Sequence, residues 1–139
     1  MKRNLFVSLT ALVLALTVNV AFAQSKSHAN VPFAFSVDHT PMEAGQYSIL
    51  VTDRVIQIRN DSTNKSVIMA SNRLESTKPQ NSRLVFHKYG DRYFLAEAWT
   101  ATGQAGASGM ELPASKAEQE TRAAYKDAGA PQEVILAMR

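Results

Sequence analysis

Residues 83–100 read RLVFHKYGDRYFLAEAWT, and this stretch decides the fold because it predicts one long β-hairpin. Aromatic, β-branched and aliphatic side chains, which suit a pleated and half-buried surface, lie on both sides of Gly90 and Asp91. A two-residue loop that opens with Gly favours a type I′ or II′ turn, whose twist matches that of the flanking strands. Such a turn places Tyr89 opposite Arg92.

The same register places His87 opposite Phe94 and Phe86 opposite Leu95, so each face of the hairpin can be read from the sequence. The first face carries Leu84, Phe86, Tyr93, Leu95 and Trp99. The second face carries Val85, His87, Tyr89, Phe94, Ala96 and Ala98. Because both faces are substantially apolar, we expect a central strand pair with a second sheet on one side and a helix or chain terminus on the other.

The N-terminal end predicts a secretory signal peptide over residues 1–23. Lys2 and Arg3 provide a basic start, residues 5–18 are largely apolar, and a small-x-small cleavage signal ends at Ala23. A membrane anchor is the alternative, but the apolar run is shorter than the roughly 20 residues that a spanning helix needs. We therefore expect a secreted or periplasmic protein after cleavage near Ala23, without stable membrane insertion.

Composition excludes several classes of protein and site. The chain has 139 residues, no Cys and a formal net charge of +3, to which Lys2 and Arg3 of the predicted signal peptide contribute. No basic stripe remains to favour nucleic-acid binding. The lack of Cys excludes disulfides, thiolate zinc sites, a Cys nucleophile and a lipidated N-terminal Cys. The domain must therefore rely on a hydrophobic core, which a chain of this length can bury.

Residues 24–30 are polar and predict a flexible N-terminal tail, and residues 31–139 predict a single β-rich domain. Before the hairpin, alternating apolar patterns predict four strands. These are residues 31–37, 47–51, 55–59 and 66–71. Polar or turn-rich segments at residues 39–45, 60–65 and 72–82 predict the loops between them.

After the hairpin the small, Gly-rich segment 101–109 predicts a flexible linker. Ser115 and Glu118 have the spacing of a capping box, which predicts a helix over about residues 116–128. Residues 133–138 predict a closing strand.

About seven short strands with turn signals and one C-terminal α-helix predict a mainly β domain, an antiparallel β-sandwich or barrel-like fold. The choice between sandwich and barrel depends on whether residues 31–37 pair with residues 134–138.

No pattern in the sequence predicts catalysis, a metal site or a cofactor. A G-x-S-x-G nucleophile elbow, a phosphate-binding loop and the ligand spacing of a zinc site are all missing. His87 with a hairpin carboxylate, Glu97 or Asp91, is a general-base hypothesis, but the predicted register directs His87 and Glu97 to opposite faces. The residues that we expect to bind a ligand or partner are His87, Tyr89, Arg92, Tyr93 and Trp99.

Five blocks of the chain resemble, in their order, a family of small secreted proteins that is frequent in acidobacteria. The blocks are VPFAFSV, PMEAGQYSI, VIQIRN, LVFHKYGDRYFLAEAW and ELPASKAEQE. The family has no established activity, so the resemblance implies export and a single β domain and carries over no catalytic residue.

Three functions follow from this reading, and they differ in what they require of the structure. The first is an exported, non-enzymatic domain that binds an envelope protein or surface polymer. The second is a periplasmic carrier, which requires a dry pocket among the aromatic side chains to hold a small apolar ligand. The third is a hydrolase using His87, which requires an acidic residue within hydrogen-bond reach and an open cleft.

Overall fold

The computed structural model describes residues 26–52, 54–78, 80–101 and 106–139 of the chain. These residues form eleven strands, one α-helix and a short 3₁₀ turn, which confirms the mainly β fold with a C-terminal helix. The strands are β1 (Lys26–Val31), β2 (Phe35–Val37), β3 (Thr40–Met42), β4 (Gly45–Val51), β5 (Val55–Asn60), β6 (Ser66–Ala70), β7 (Asn72–Ser76), β8 (Arg83–Tyr89), β9 (Arg92–Ala101), β10 (Ala107–Glu111) and β11 (Gln132–Ala137). Helix α1 spans Lys116–Ala124, and the 3₁₀ turn spans Lys126–Ala128.

The strands form two sheets that meet at both edges. The four-stranded sheet has the order β1-β4-β5-β6, and the seven-stranded sheet has the order β11-β8-β9-β10-β7, with β2 and β3 attached through β9. At one edge the chain passes from β6 to β7 through Ser71. At the other edge the backbones of His28 and Arg139 exchange two hydrogen bonds, of 2.7 and 2.9 Å. The fold is therefore a barrel-like sandwich, and its seam joins β1 to the residues after β11.

The central hairpin has the predicted register at its turn. Tyr89 pairs with Arg92, His87 with Phe94 and Phe86 with Leu95, as the Gly-Asp loop predicted. A β-bulge then shifts the register between Val85 and Phe86, so that Val85 pairs with Glu97.

The bulge makes part of the predicted face assignment wrong, because an extra residue in one strand reverses the alternation beyond it. Ala98 lies in the main core with Leu84 and Phe86. Trp99 lies on the outer face, where it packs with Val85. Glu97, the partner of Val85, likewise lies on the outer face with His87, and not on the face opposite His87 as the predicted register implied.

The main core fills the space between the two sheets. Its largest fully buried side chains are Tyr47, Phe86, Met42, Ile49, Ile56, Ile58, Leu84, Val31 and Val37. Phe33 stacks on Tyr93 with ring centroids 3.9 Å apart, and Phe86 meets Phe33 and Phe35 edge to face at 5.2 Å. Each such side chain stabilises the fold by roughly 1.5–3 kcal/mol on burial.

Four segments that the sequence predicted as tail, loop or linker contain strands. The tail 24–30 contributes β1, the loop 39–45 contributes β3, the loop 72–82 contributes β7, and the linker 101–109 contributes β10. β1 pairs with β4 along its whole length, and its Ala29 and Val31 are buried. In β10 a Cβ at Gly109 would lie 2.6 Å from the Trp99 ring, so glycine serves close packing there and not flexibility.

The predicted signal peptide, residues 1–23, lies outside the described residues. Within the described ranges, no helix has the length and apolar character needed to cross a membrane.

Candidate functional site

Helix α1 lies against the outer face of the central hairpin, near its turn. The helix begins at Ser115, whose hydroxyl accepts a hydrogen bond from the Glu118 N–H at 3.1 Å, as the capping pattern predicted. The Glu118 side chain, however, bonds to the hairpin. It is only 6% exposed, so a carboxylate is buried between the helix and the sheet.

Three hydrogen bonds join the helix to the hairpin. Glu118 Oε1 lies 2.7 Å from His87 Nδ1 and accepts a hydrogen bond from the Tyr89 hydroxyl at 3.2 Å. Arg92 Nη1 donates to Thr121 Oγ1 at 2.7 Å. We call these five residues the helix–hairpin latch, because they attach a polar helix that has little apolar surface to bury.

Electrostatics tie the latch together. The hydrogen bond to the Glu118 carboxylate raises the pKa of His87, against a burial effect that lowers it, and the charges of Glu133 and Glu97 add to the rise. Burial raises the pKa of Tyr89, and the charge of Glu118 raises it further. The buried Glu118 side chain therefore has two polar partners, the His87 ring and the Tyr89 hydroxyl, as a buried polar group requires.

The His87–Glu118 pair has the geometry that orients an imidazole for proton transfer. Glu118 is the carboxylate partner of His87, in place of the Glu97 or Asp91 that the sequence suggested. The His87 side chain is 30% exposed, so its ring reaches solvent. Ser115 and Thr121 carry the hydroxyls nearest in sequence to Glu118, and both are engaged, the first in the helix cap and the second with Arg92 and the Ala117 carbonyl. In the described ranges, no group of three or more His, Cys, Asp or Glu side chains could hold a metal ion.

A cleft of about 330 Å³ opens beside the latch, between the hairpin turn, the end of the helix and the start of β11. Tyr125 forms one wall and is 41% exposed. A Cβ at Gly90, which has a φ of +58°, would lie 2.5 Å from the Tyr125 hydroxyl. Glycine suits the backbone conformation here, and any side chain at this position would have to displace the Tyr125 hydroxyl. Lys88 and Pro131 also line this hairpin-tip cleft.

The structure distributes the five predicted site residues over three places. His87, Tyr89 and Arg92 come together in the latch. Tyr93 lies on the inner face, where its ring stacks on the Phe33 ring with centroids 3.9 Å apart. Trp99 lies beyond the bulge and is only 8% exposed.

The surroundings of Trp99 fix its position at the far end of the hairpin. Its indole N–H donates to Glu97 Oε2 at 2.6 Å. The Arg83 guanidinium lies 5.3 Å from its ring centroid, within the range of a cation–π contact.

Sequence reasoning missed Glu118, Thr121 and Tyr125 as members of this region. Glu118 and Thr121 are the buried residues of the helix, and they are three positions apart, which places them on one face. That polar pair on one face of the helix was the available signal. Tyr125 belongs to a weak helix stripe that the sequence does show, together with Ala117, Thr121 and Ala124.

Comparison of the chain with protein-family models, curated proteins and solved structures gave no match. The resemblance to the acidobacterial family stays a prediction.

Proposed function

We propose that this chain is an exported, non-enzymatic β domain that binds an envelope protein or a surface polymer at the hairpin-tip cleft. The observation that carries the proposal is the exposed Tyr125 ring, which lines an open cleft on a firmly supported turn. Tyrosine is enriched at protein interfaces, and its ring provides a large contact surface with a polar end. Export rests on the predicted signal peptide over residues 1–23.

The latch supports this proposal because it holds both walls of the cleft in place. Arg92 is bonded to Thr121 at 2.7 Å, and Gly90 adjoins Tyr125 across the cleft. A surface that is ordered before binding loses less conformational entropy on binding.

The filled interior favours partner binding over carriage of an apolar ligand. Phe86 meets Phe33 and Phe35 edge to face at 5.2 Å, and Tyr47 meets Phe35 at the same distance. These rings occupy the space in which a carrier would hold its ligand. A carrier of this fold would have to separate them at a substantial loss of packing.

A hydrolase that uses His87 is the second candidate, and the 2.7 Å contact between His87 and Glu118 favours it. General-base catalysis needs a nucleophile or water within reach of the free ring nitrogen. Among the described residues, no Ser, Thr or Tyr hydroxyl bonds to that nitrogen. The pair is therefore better explained as the polar contact that fixes the helix.

Site-specific photo-cross-linking in the host's envelope fraction tests the proposal. A photoreactive residue is placed at Tyr125, and in a matched variant at Lys116, which is 82% exposed on the same helix. We expect one discrete cross-linked partner from position 125 and none from position 116. Equal products from both positions, or none from 125, would contradict the cleft as the binding surface.

A hydrolase gives a different result. His87→Gln would abolish turnover of model esters or amides, whereas a binding domain would show no turnover to abolish.

A further inference from the structure

A second pocket, of about 240 Å³, lies on the outer face of the four-stranded sheet. Two rows of paired residues cross β1, β4 and β5 beneath it. The rows are His28, Ser48 and Arg59, and Lys26, Leu50 and Gln57. Their chain neighbours Tyr47, Ile49 and Ile58 are buried in the core, so strand alternation directs both rows outward.

Asp61 is fixed at one end of this pocket by two partners. Its Oδ1 accepts a hydrogen bond from Ser48 Oγ at 2.6 Å, and its Oδ2 lies 3.8 Å from His28 Nδ1. Ser48 Oγ is 3.3 Å from the same His28 nitrogen. A catalytic triad places the serine and the carboxylate on different ring nitrogens. This trio uses one nitrogen for both, so it is a cluster for recognition and not for nucleophilic attack.

The pocket combines positive charge with a set of neutral donors and acceptors. Arg59 and Lys26 are exposed cations on β5 and β1. Arg59 donates to the Asn64 side-chain oxygen at 2.6 Å, which holds its guanidinium in place. The planar guanidinium fork matches a carboxylate. Asp61 and Gln57 offer acceptors to hydroxyl groups.

The shape of the pocket limits the size of its ligand. Its volume lies below the range of about 300–1,000 Å³ that holds drug-sized ligands, so it fits a single ring. Leu50 lies between Lys26 and Gln57 in its row and provides an apolar surface for the C–H face of that ring.

We propose that this pocket binds a uronate, that is, a pyranose ring that carries a carboxylate, either free or as one unit of an acidic polysaccharide. Arg59 receives the carboxylate, Lys26 adds positive charge from the far strand, and Asp61 accepts from the ring hydroxyls. The site lies on the opposite sheet from the hairpin-tip cleft. The two proposals therefore stand or fall separately.

Nuclear magnetic resonance titration of the isotopically labelled protein tests the proposal with three probes. These are sodium D-glucuronate, D-glucose and inorganic phosphate. We expect glucuronate to shift the amide signals of residues 26–28, 48–50 and 57–61, with a dissociation constant on the order of millimolar for one ring. Glucose lacks the carboxylate and phosphate lacks the ring, so each should bind about tenfold more weakly or worse.

Two substitutions separate the parts of the site. Arg59→Gln removes the carboxylate contact and should weaken glucuronate binding about tenfold while leaving glucose binding unchanged. Asp61→Asn should weaken binding of both sugars but strengthen binding of phosphate, because it removes a negative charge. Lys116→Gln removes an exposed cation from the helix and serves as the matched control. Unchanged Trp99 fluorescence reports that each variant is folded.

A tetragalacturonide distinguishes the two sources of the ligand. Tighter binding of the tetramer than of its own monomer, D-galacturonate, identifies a polysaccharide, and equal binding identifies a free sugar acid; both support the site. Glucose binding as tightly as glucuronate overturns the carboxylate assignment. Phosphate binding as tightly as glucuronate, or no shift with either uronate, overturns the proposal.

Discussion

The two faces of the central hairpin are held by different forces. On the inner face, Phe86 is fully buried and meets two phenylalanine rings at 5.2 Å. On the outer face, Glu118 is almost as deeply buried, but its partners are the polar groups of His87 and Tyr89. Apolar burial does not depend on protonation, whereas a carboxylate–imidazole bond does.

Because the partners on the two faces differ, the sheet core and the helix have separate sources of stability. The core should determine whether the chain folds at all. The latch should determine whether the helix, and with it the hairpin-tip cleft, stays in place. Substitutions on the two faces can therefore separate loss of fold from loss of site.

Phe86→Ala should give the largest effect. It empties space between the two sheets, and a buried Phe→Ala change costs about 3–5 kcal/mol of the free energy of unfolding. Denaturant unfolding followed by the fluorescence of Trp99, the only Trp, and by circular dichroism measures the loss. Both signals should shift together, because the whole domain is destabilised. A shift below about 1 kcal/mol would contradict the assignment of Phe86 to the main core.

Glu118→Ala should act locally and cost about 1–3 kcal/mol, because it leaves the Tyr89 hydroxyl and the His87 ring without their shared acceptor. Glu120→Ala is the matched control, since Glu120 is 68% exposed and pairs only with Lys116 at 3.9 Å. Hydrogen exchange should accelerate in α1 for the first variant and not for the second. Equal effects of the two variants would show that the buried Glu118 contributes no more to helix stability than an exposed carboxylate does.

Gly90→Ala should cost about 1–2 kcal/mol, from a residue with a side chain held at a φ of +58°. It also brings a methyl group within 2.5 Å of the Tyr125 hydroxyl and should displace that ring. Gly129→Ala is the comparison, since Gly129 also has positive φ but a Cβ there meets nothing within 4 Å. The intrinsic fluorescence or resonance shifts of Tyr125 should change in the first variant alone.

The sequence predicted the features that depend on local chemistry, which are the hairpin turn, its register and the start of the helix. Gly90 and Asp91 specify a two-residue turn, and that turn fixes the register as far as Phe86. Ser115 specifies the helix start in the same way. Nothing near Ala96 marks the bulge, so the pattern failed there.

The missed features depend on partners that are distant in the chain. β1 is a strand because β4 pairs with it, although its own residues are mostly polar. Glu118 has the spacing of a capping residue, and only the packing of α1 on β8 shows that it bonds to His87, 31 positions away. Site residues of this kind can be found from sequence only when tertiary contacts are already known.

The pH dependence of stability should give the smallest effect and the sharpest separation of the two faces. The pKa of His87 is raised above 6.5 by its bond to Glu118, so the folded state holds this proton more tightly than the unfolded state does. The contribution of the raised His87 pKa is therefore complete below pH 6.5 and is lost as the pH rises through the raised value. Unfolding free energies measured from pH 6 to pH 9 should fall in the unsubstituted protein and fall less in His87→Gln.

The fall in Phe86→Ala should equal that of the unsubstituted protein, because the core has no group that titrates in this range. An equal fall in His87→Gln would assign the pH dependence to other groups and leave the helix held by its remaining contacts, Tyr89 to Glu118 and Arg92 to Thr121.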